Sequence, residues 1–210
     1  MSKKTLCIAT RNTHKAVEMA PVLAPFWEVK CSADYPEMAA LEDIEETGDS
    51  FLANAQLKAI ATSQVIPDYV LADDSGLEVD ILEGAPGVFS ARYGGIPSST
   101  EKNNAKLLQE LTRVQAVTPQ QRHARFRCVL VLAKEGTVIG SFDGVCEGTI
   151  ATGPKGTNGF GYDPLFIPQD YARTFGQLTE KTKAGLSHRA LALKKFLAWC
   201  KETSCGDKID

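Results

Sequence analysis

Asp73 and Asp74 stand side by side after the apolar run Tyr69, Val70, Leu71 and Ala72, and are followed by Ser75 and Gly76. Neighbouring carboxylates repel, so burying both uncompensated is costly; a divalent cation or a shared proton relieves the conflict. Two readings stand. One is a magnesium site, and the other is a solvated acidic turn in which Asp74 or Ser75 caps the next element. The apolar run reads as a short buried strand that stops at Gly76. That ending would set the carboxylates at a sheet rim, where ligands bind in α/β proteins.

Three further stretches carry chemistry-bearing side chains. Thr10, Arg11, Asn12, Thr13, His14 and Lys15 follow an apolar strand-like segment and open a helical pattern. With Asn12 or Thr13 as cap, the helix start presents unpaired N–H groups and the positive dipole end, which attracts phosphate; a plain connection with solvated basic residues is the alternative. Residues 153–164 place four glycines around Phe160, Tyr162 and Asp163, without the Lys-Ser or Lys-Thr of a Walker loop. Such a loop could stack Phe160 on a heterocyclic base, or be a turn with Phe160 in the core. His188 and Arg189 follow the natural cap Ser187, where cations oppose the helix dipole. A bound anion or polar base edge would justify them, and exposed residues tolerating a small penalty are the other possibility.

These groups need elements to hold them. Thr5 to Ala9 reads as a first strand, followed by a helix with apolar Ala16, Met19 and Leu23 that Pro21 should end or kink. A second strand is expected near Glu28 to Cys31. The acidic stretch Glu42 to Ser50 then leads into a helix whose expected buried stripe is Ala53, Leu57, Ile60 and Ala61, with Asp49 as cap. Asn54 and Lys58, four apart, share another face that either turns a cation inward or is solvated. Glu45 or Glu46 could complete a metal site begun by Asp74. Ser98 and Glu101 have capping-box spacing before a helix with Leu107, Leu108, Leu111 and Val114. Ala124 to Ala133 and Val138 to Ile150 read as a hairpin around Lys134, Glu135 and Gly136, so the sheet is mixed. A last helix carries Ala190, Leu193 and Leu197, and Glu202 to Asp210 read as a loose polar tail.

Composition narrows the classes. The chain has 210 residues, 43% hydrophobic and 23% charged, which is ordinary globular usage. A net charge of −3 argues against a nucleic-acid polymer as partner, since that needs a basic face, but allows a small anionic ligand. The longest apolar run, Cys128 to Ala133, is too short to span a bilayer, and the segment after Lys3 and Lys4 has no signal-peptide core, so a cytoplasmic location is expected. Cys7, Cys31, Cys128, Cys146, Cys200 and Cys205 form no CxxC pair and read mostly as reduced core residues. With three histidines and no HxxxH spacing, any metal should be a hard cation held by oxygen.

Taken together, TRNTHK at 10–15, EETGDSFLANAQLKA at 45–59, ADDSGLEVD at 72–80, GAPGVFSARYGG at 84–95, GFGYDP at 159–164 and LSHRALALKKF at 186–196 resemble the non-canonical purine nucleoside triphosphate pyrophosphatases. This is the inosine triphosphatase or Ham1-like family, and the six blocks keep its order and spacing. The resemblance implies an α/β fold whose long mixed twisted sheet is shared by two lobes with flanking helices and a cleft between them. It implies a single such domain over residues 1–210, a homodimer, magnesium as cofactor, and hydrolysis of ITP, dITP and XTP to monophosphate and pyrophosphate. By carry-over, Thr10 to Lys15 and Lys183 would hold the phosphates, Glu45 and Asp74 the metal, and Ser75 the substrate. Phe160, Gly161, Tyr162 and Asp163, with His188 and Arg189, would enclose the base, and Asp74 would accept the proton. Arg11 stands where the family commonly has glycine. Two other functions compete: a nucleotide-binding sensor without chemistry, and a pyrophosphatase for modified pyrimidine nucleotides. Retention of Asp73, Asp74 and Glu45 argues against the sensor, because binding alone needs no water-activating carboxylate.

Overall fold

The computed structural model describes residues 3–40 and 44–203. Glu42, Asp43, Cys205 and the tail from residue 204 onward lie outside the described residues. In chain order the elements are β1 (Thr5–Ala9), α1 (Thr13–Leu23), β2 (Glu28–Cys31), α2 (Phe51–Val65), β3 (Tyr69–Val79), α3 (Thr100–Arg113), β4 (His123–Lys134), β5 (Thr137–Ile150), β6 (Phe166–Pro168), α4 (Glu180–Leu186) and α5 (His188–Thr203). The strands form one six-stranded sheet in the order β2-β1-β3-β4-β5-β6. β1 runs parallel to both β2 and β3, whereas β5 and β6 are antiparallel, so the sheet is mixed as expected.

Local chemistry explains most boundaries. Asn12 caps α1 by accepting from His14 N; α3 is capped by Ser99, which accepts from Lys102 N, and not by Ser98 as the capping-box spacing suggests, since Ser98 Oγ donates to Ala91 O. The β4–β5 turn puts Glu135 (φ 52°) and Gly136 (φ 75°) in the left-handed region, as a two-residue hairpin turn requires. Pro21 does not end α1, which continues to Leu23.

Three expectations are corrected. β3 does not stop at Gly76. β1 pairs with it only from Tyr69 to Ala72, but β4 flanks its other edge and the strand continues to Val79. Asp73 and Asp74 are therefore mid-strand and buried, at 1% and 6% exposure, which also removes the solvated-turn reading. Helix α2 buries Phe51, Asn54, Ala55, Ala59, Thr62 and Ser63, while Leu57 is exposed. Beyond Phe51 and Asn54 that face is made of the small residues Ala55, Ala59, Thr62 and Ser63, so a stripe of large apolar side chains does not mark it. Its cap is Ser50, accepting from Ala53 N, and not Asp49.

The chain divides into two compact units. Unit 1 comprises Met1–Asp74, Cys128–Gly144 and Arg189–Asp210, with a core that includes Leu6, Ile8, Met19, Trp27, Leu71 and Phe196. Unit 2 comprises Ser75–Arg127 and Val145–His188, with a core that includes Leu77, Leu107, Phe126, Tyr162, Phe166 and Phe175. Cys7, Cys128 and Cys146 are buried free thiols, Cys31 is a half-buried free thiol, and Cys200 is buried in the core.

Candidate active site

Strand alternation sends the Asp73 and Asp74 side chains to opposite faces of β3. Asp73 accepts from Lys15 Nζ, from Arg189 Nε at 3.0 Å and from Cys128 Sγ at 3.1 Å. Arg189 also donates through Nη1 to Glu18. Burial alone would raise the Asp73 carboxyl, but Arg189 and Lys15 hold it well below the usual carboxylate range. The Arg189 guanidinium, penalised by burial, is kept firmly charged by Asp73. The alternative in which His188 and Arg189 are surface residues is overturned, since both are buried.

On the other face, Asp74 Oδ1 accepts from Lys58 Nζ at 3.2 Å. Its Oδ2 is buried and has no hydrogen-bond partner among the described residues. Burial raises the Asp74 carboxyl; Lys58 opposes that shift and the Glu46 charge adds to it. Lys58 Nζ also donates to Glu46 Oε1 at 2.7 Å and to the Asp73 carbonyl at 2.8 Å. The repulsion between the two aspartates is thus relieved by separate cations on the two faces of the strand. Lys58 points inward, as the Asn54–Lys58 spacing allowed, whereas Asn54 Oδ1 takes the Gly48 N–H at 2.8 Å. A Cβ on Gly48 would come within 2.7 Å of both Ala53 and Asn54, so only glycine lets the acidic segment lie this close to α2.

The structure brings Glu46 to Lys58 and Asp74, while Glu45 is exposed. Sequence reading left the two open and the family carry-over favoured Glu45; in the structure Glu46 is the one whose carboxylate accepts from Lys58 and whose charge acts on Asp74. Among the described residues no three His, Cys, Asp or Glu side chains cluster as a ready-made metal cage. An unpartnered carboxylate oxygen beside a second carboxylate nevertheless fits magnesium, which takes one or two carboxylates and completes its shell with water and phosphate oxygens.

The loop from Thr10 to Asn12 leads into the first turn of α1, which begins at Thr13 and carries no acidic residue. Arg11, Asn12, Thr13 and His14 are exposed there, Thr10 Oγ1 accepts from Asn12 N at 3.1 Å, and Lys15 is turned to Asp73.

In unit 2, the buried Asp163 organises the Gly-rich loop. Its Oδ2 accepts from Lys183 Nζ at 2.6 Å and from Phe160 N at 2.8 Å. Gly159 sits at φ +75°, and a Cβ there would lie 2.0 Å from Asp163 Oδ2. Phe160 is half-buried and outside the core cluster, with Lys183 Nζ 4.8 Å from its ring centroid. Tyr162 is a core residue whose hydroxyl donates to Ser90 O at 2.8 Å, and Gly161 O accepts from Asn104 Nδ2. His188 stacks on Phe126 with centroids 4.8 Å apart. Ser75 is half-buried. Sequence reading weighed Lys58, Glu46 and Asp73, but the family carry-over gave none of them a role; Glu18 and Cys128, which complete the Asp73 and Arg189 contacts, carried no signal in the sequence.

Residues 6–199 match the Ham1 family. The dITP/XTP pyrophosphatase of Halalkalibacterium halodurans is 45% identical over 197 residues, covering 93% of this chain and 98% of that protein. The dITP/XTP pyrophosphatase of Lactococcus lactis is 47% identical over 197 residues, 93% of this chain and 96% of that protein. Among solved structures, the Staphylococcus aureus Ham1 protein aligns with a TM-score of 0.83 at 36% identity, over 95% of this chain and 100% of that one. A HAM1 protein from Coxiella burnetii aligns with a TM-score of 0.83 at 35% identity, over 95% of this chain and 99% of that one.

Proposed function

The chain belongs to the Ham1 family, and from that premise we propose that it hydrolyses the non-canonical purine nucleotides ITP, dITP and XTP to monophosphate and pyrophosphate with magnesium. The observation that carries this reading is Asp74: a buried carboxylate with Oδ1 on Lys58 and an unpartnered Oδ2. Asp74 and Glu46 would hold the ion, with Glu45 the ligand that the family carry-over suggests. When bound, the ion would neutralise charge on the phosphate oxygens and acidify water.

This chain's own residues supply the rest. Asp74, its carboxyl raised by burial, is suited to take a proton from the attacking water. The exposed start of α1, with Thr10, Arg11, Asn12, Thr13, His14 and Lys15, offers N–H groups and positive charge to phosphates. Lys183 is assigned to a phosphate and Ser75 to substrate by family carry-over. Phe160, Gly161, Tyr162 and Asp163 are assigned to the base, with Phe160 the stacking face. His188 and Arg189 are assigned to base recognition. Arginine only donates, so a 6-carbonyl suits it and a 6-amino group does not. The family resemblance also supports a homodimer, and the short apolar runs support a cytoplasmic location; no helix among the described residues is long and apolar enough to cross a membrane.

A panel of ITP, dITP, XTP, GTP, ATP and modified pyrimidine triphosphates with magnesium tests this. ITP, dITP and XTP should be turned over fastest, and label from the γ-phosphate should appear in pyrophosphate. Orthophosphate as the first product would indicate an ordinary phosphatase, and binding without turnover a sensor.

A further inference from the structure

We propose that Lys58 is the resident cation of the Asp74–Glu46 site: its ammonium holds the two carboxylates together in the empty enzyme and is displaced when a divalent ion enters. This rests on the metal reading of Asp74 given above.

An ammonium has three N–H donors and no acceptor. Here Lys58 Nζ has three acceptors within reach, Glu46 Oε1 at 2.7 Å, Asp73 O at 2.8 Å and Asp74 Oδ1 at 3.2 Å. Two of them are the carboxylates assigned to the metal. The Asp74 carboxylate is more than nine-tenths buried, and the lysine satisfies one of its oxygens and leaves Oδ2 without a partner. A monovalent group therefore serves Asp74 Oδ1 and Glu46, while no donor among the described residues reaches Asp74 Oδ2. Asp74 and Glu46, if they held a divalent ion, would hold it beside the Lys58 ammonium, where like charges repel strongly because solvent screening is weak. Lys58 must then give up Glu46, Asp74 or both. Its four-carbon stem is flexible enough to move its head, and the freed ammonium becomes a donor for an anionic substrate. Lys58 thus opposes premature metal binding and keeps the two acids from repelling one another before the ion arrives.

The test measures Mn²⁺ binding, without nucleotide, to the full chain freed of divalent ions. Isothermal titration calorimetry is run on wild type, Lys58→Met and Asp74→Asn. Lys58→Met keeps the stem and removes the charge, so it should bind Mn²⁺ about tenfold or more tightly than wild type. Equal or weaker binding by that variant, with wild-type binding lost in Asp74→Asn, would overturn the proposal and leave the metal site intact. Absence of Mn²⁺ binding in wild type and Lys58→Met alike would overturn both. A second measurement needs only wild type: amine acylation read by mass spectrometry at Lys58, with and without Mn²⁺. Labelling should rise severalfold with the ion, and an unchanged or lower yield would count against displacement even if Lys58→Met does not fold.

Discussion

Two charge networks of similar membership lie in the two units, and they differ in their access to water. In unit 2, Arg125 reaches Asp80 at 2.9 Å and Glu147 at 3.1 Å, His123 Nδ1 lies 2.7 Å from Asp80, and Arg127 reaches Glu78 at 3.4 Å. The Asp80 and His123 side chains are 47% and 42% exposed. In unit 1, Lys15, Arg189 and Asp73 form a network in which the Arg189 and Asp73 side chains are 2% and 0% exposed. Exposed pairs contribute about 0–1 kcal/mol each, because water and salt screen them. Breaking a buried pair costs about 3–5 kcal/mol, since it strands a charge. Of the two networks, only the buried one adjoins a carboxylate, Asp74, whose proton affinity burial raises.

The sharpest way to break this comparison is Asp74→Asn. It should lower kcat by about 10²–10⁴-fold while preserving much of nucleotide binding, because the amide keeps the shape but cannot accept the proton or hold the ion. Steady-state kinetics with ITP decides it, and near-normal turnover would remove Asp74 from the chemistry. Its stability without metal should not fall, since burial disfavours the charge that the substitution removes.

Asp73→Asn should show the opposite profile. Stranding Arg189 and Lys15 should cost about 3–5 kcal/mol in denaturant unfolding. A cost as small as that of Asp80→Asn would erase the distinction between the networks.

Arg189→Ala separates holding from reading. Loss of the Asp73 and Glu18 contacts should lower stability and turnover for every substrate. If the guanidinium also reads the base, the preference for ITP over ATP should narrow by about 10–100-fold, the cost of an unpaired donor or acceptor in a dry site. Comparing kcat/KM for ITP, XTP, GTP and ATP in both proteins measures the two effects separately, and an unchanged preference would leave Arg189 with the holding role alone.

The smallest effect belongs to Asp80. Its slight burial raises the carboxyl, but His123 and Arg125 together lower it. A depressed folded pKa means that its stabilisation is fully present above the unfolded value near about 3.9 and is lost as pH falls through the lower folded value. Wild type should exceed Asp80→Asn by under about 1 kcal/mol at pH 7 and in low salt. That difference should close only toward the acid end and should shrink in high salt. A difference as large as that for Asp73 would show that exposure is not what separates the two networks.

Much of this was readable in the residues. β1 and β2 have the expected bounds, the cap Asn12 lies where polar residues precede periodic ones, the α3 cap falls one residue from the expected one, and Glu135 with Gly136 makes the hairpin turn. The motif blocks identified the family and, through it, Asp74 as the residue to watch. Each of these depends on contacts a few residues apart, which the linear order already contains, or on an ordered set of motifs too specific to be accidental. What the chain order could not express is which strand edge β4 covers, and so that β3 passes Gly76 and buries both aspartates. Nor could it show that Lys15 and Arg189, 58 and 116 residues from Asp73, converge on that carboxylate while Lys58 takes the next one. Adjacent aspartates have the same chemistry in sequence. Tertiary structure made them different, because strand alternation faces them oppositely and burial makes each one's behaviour depend on the cation that the fold delivers to it.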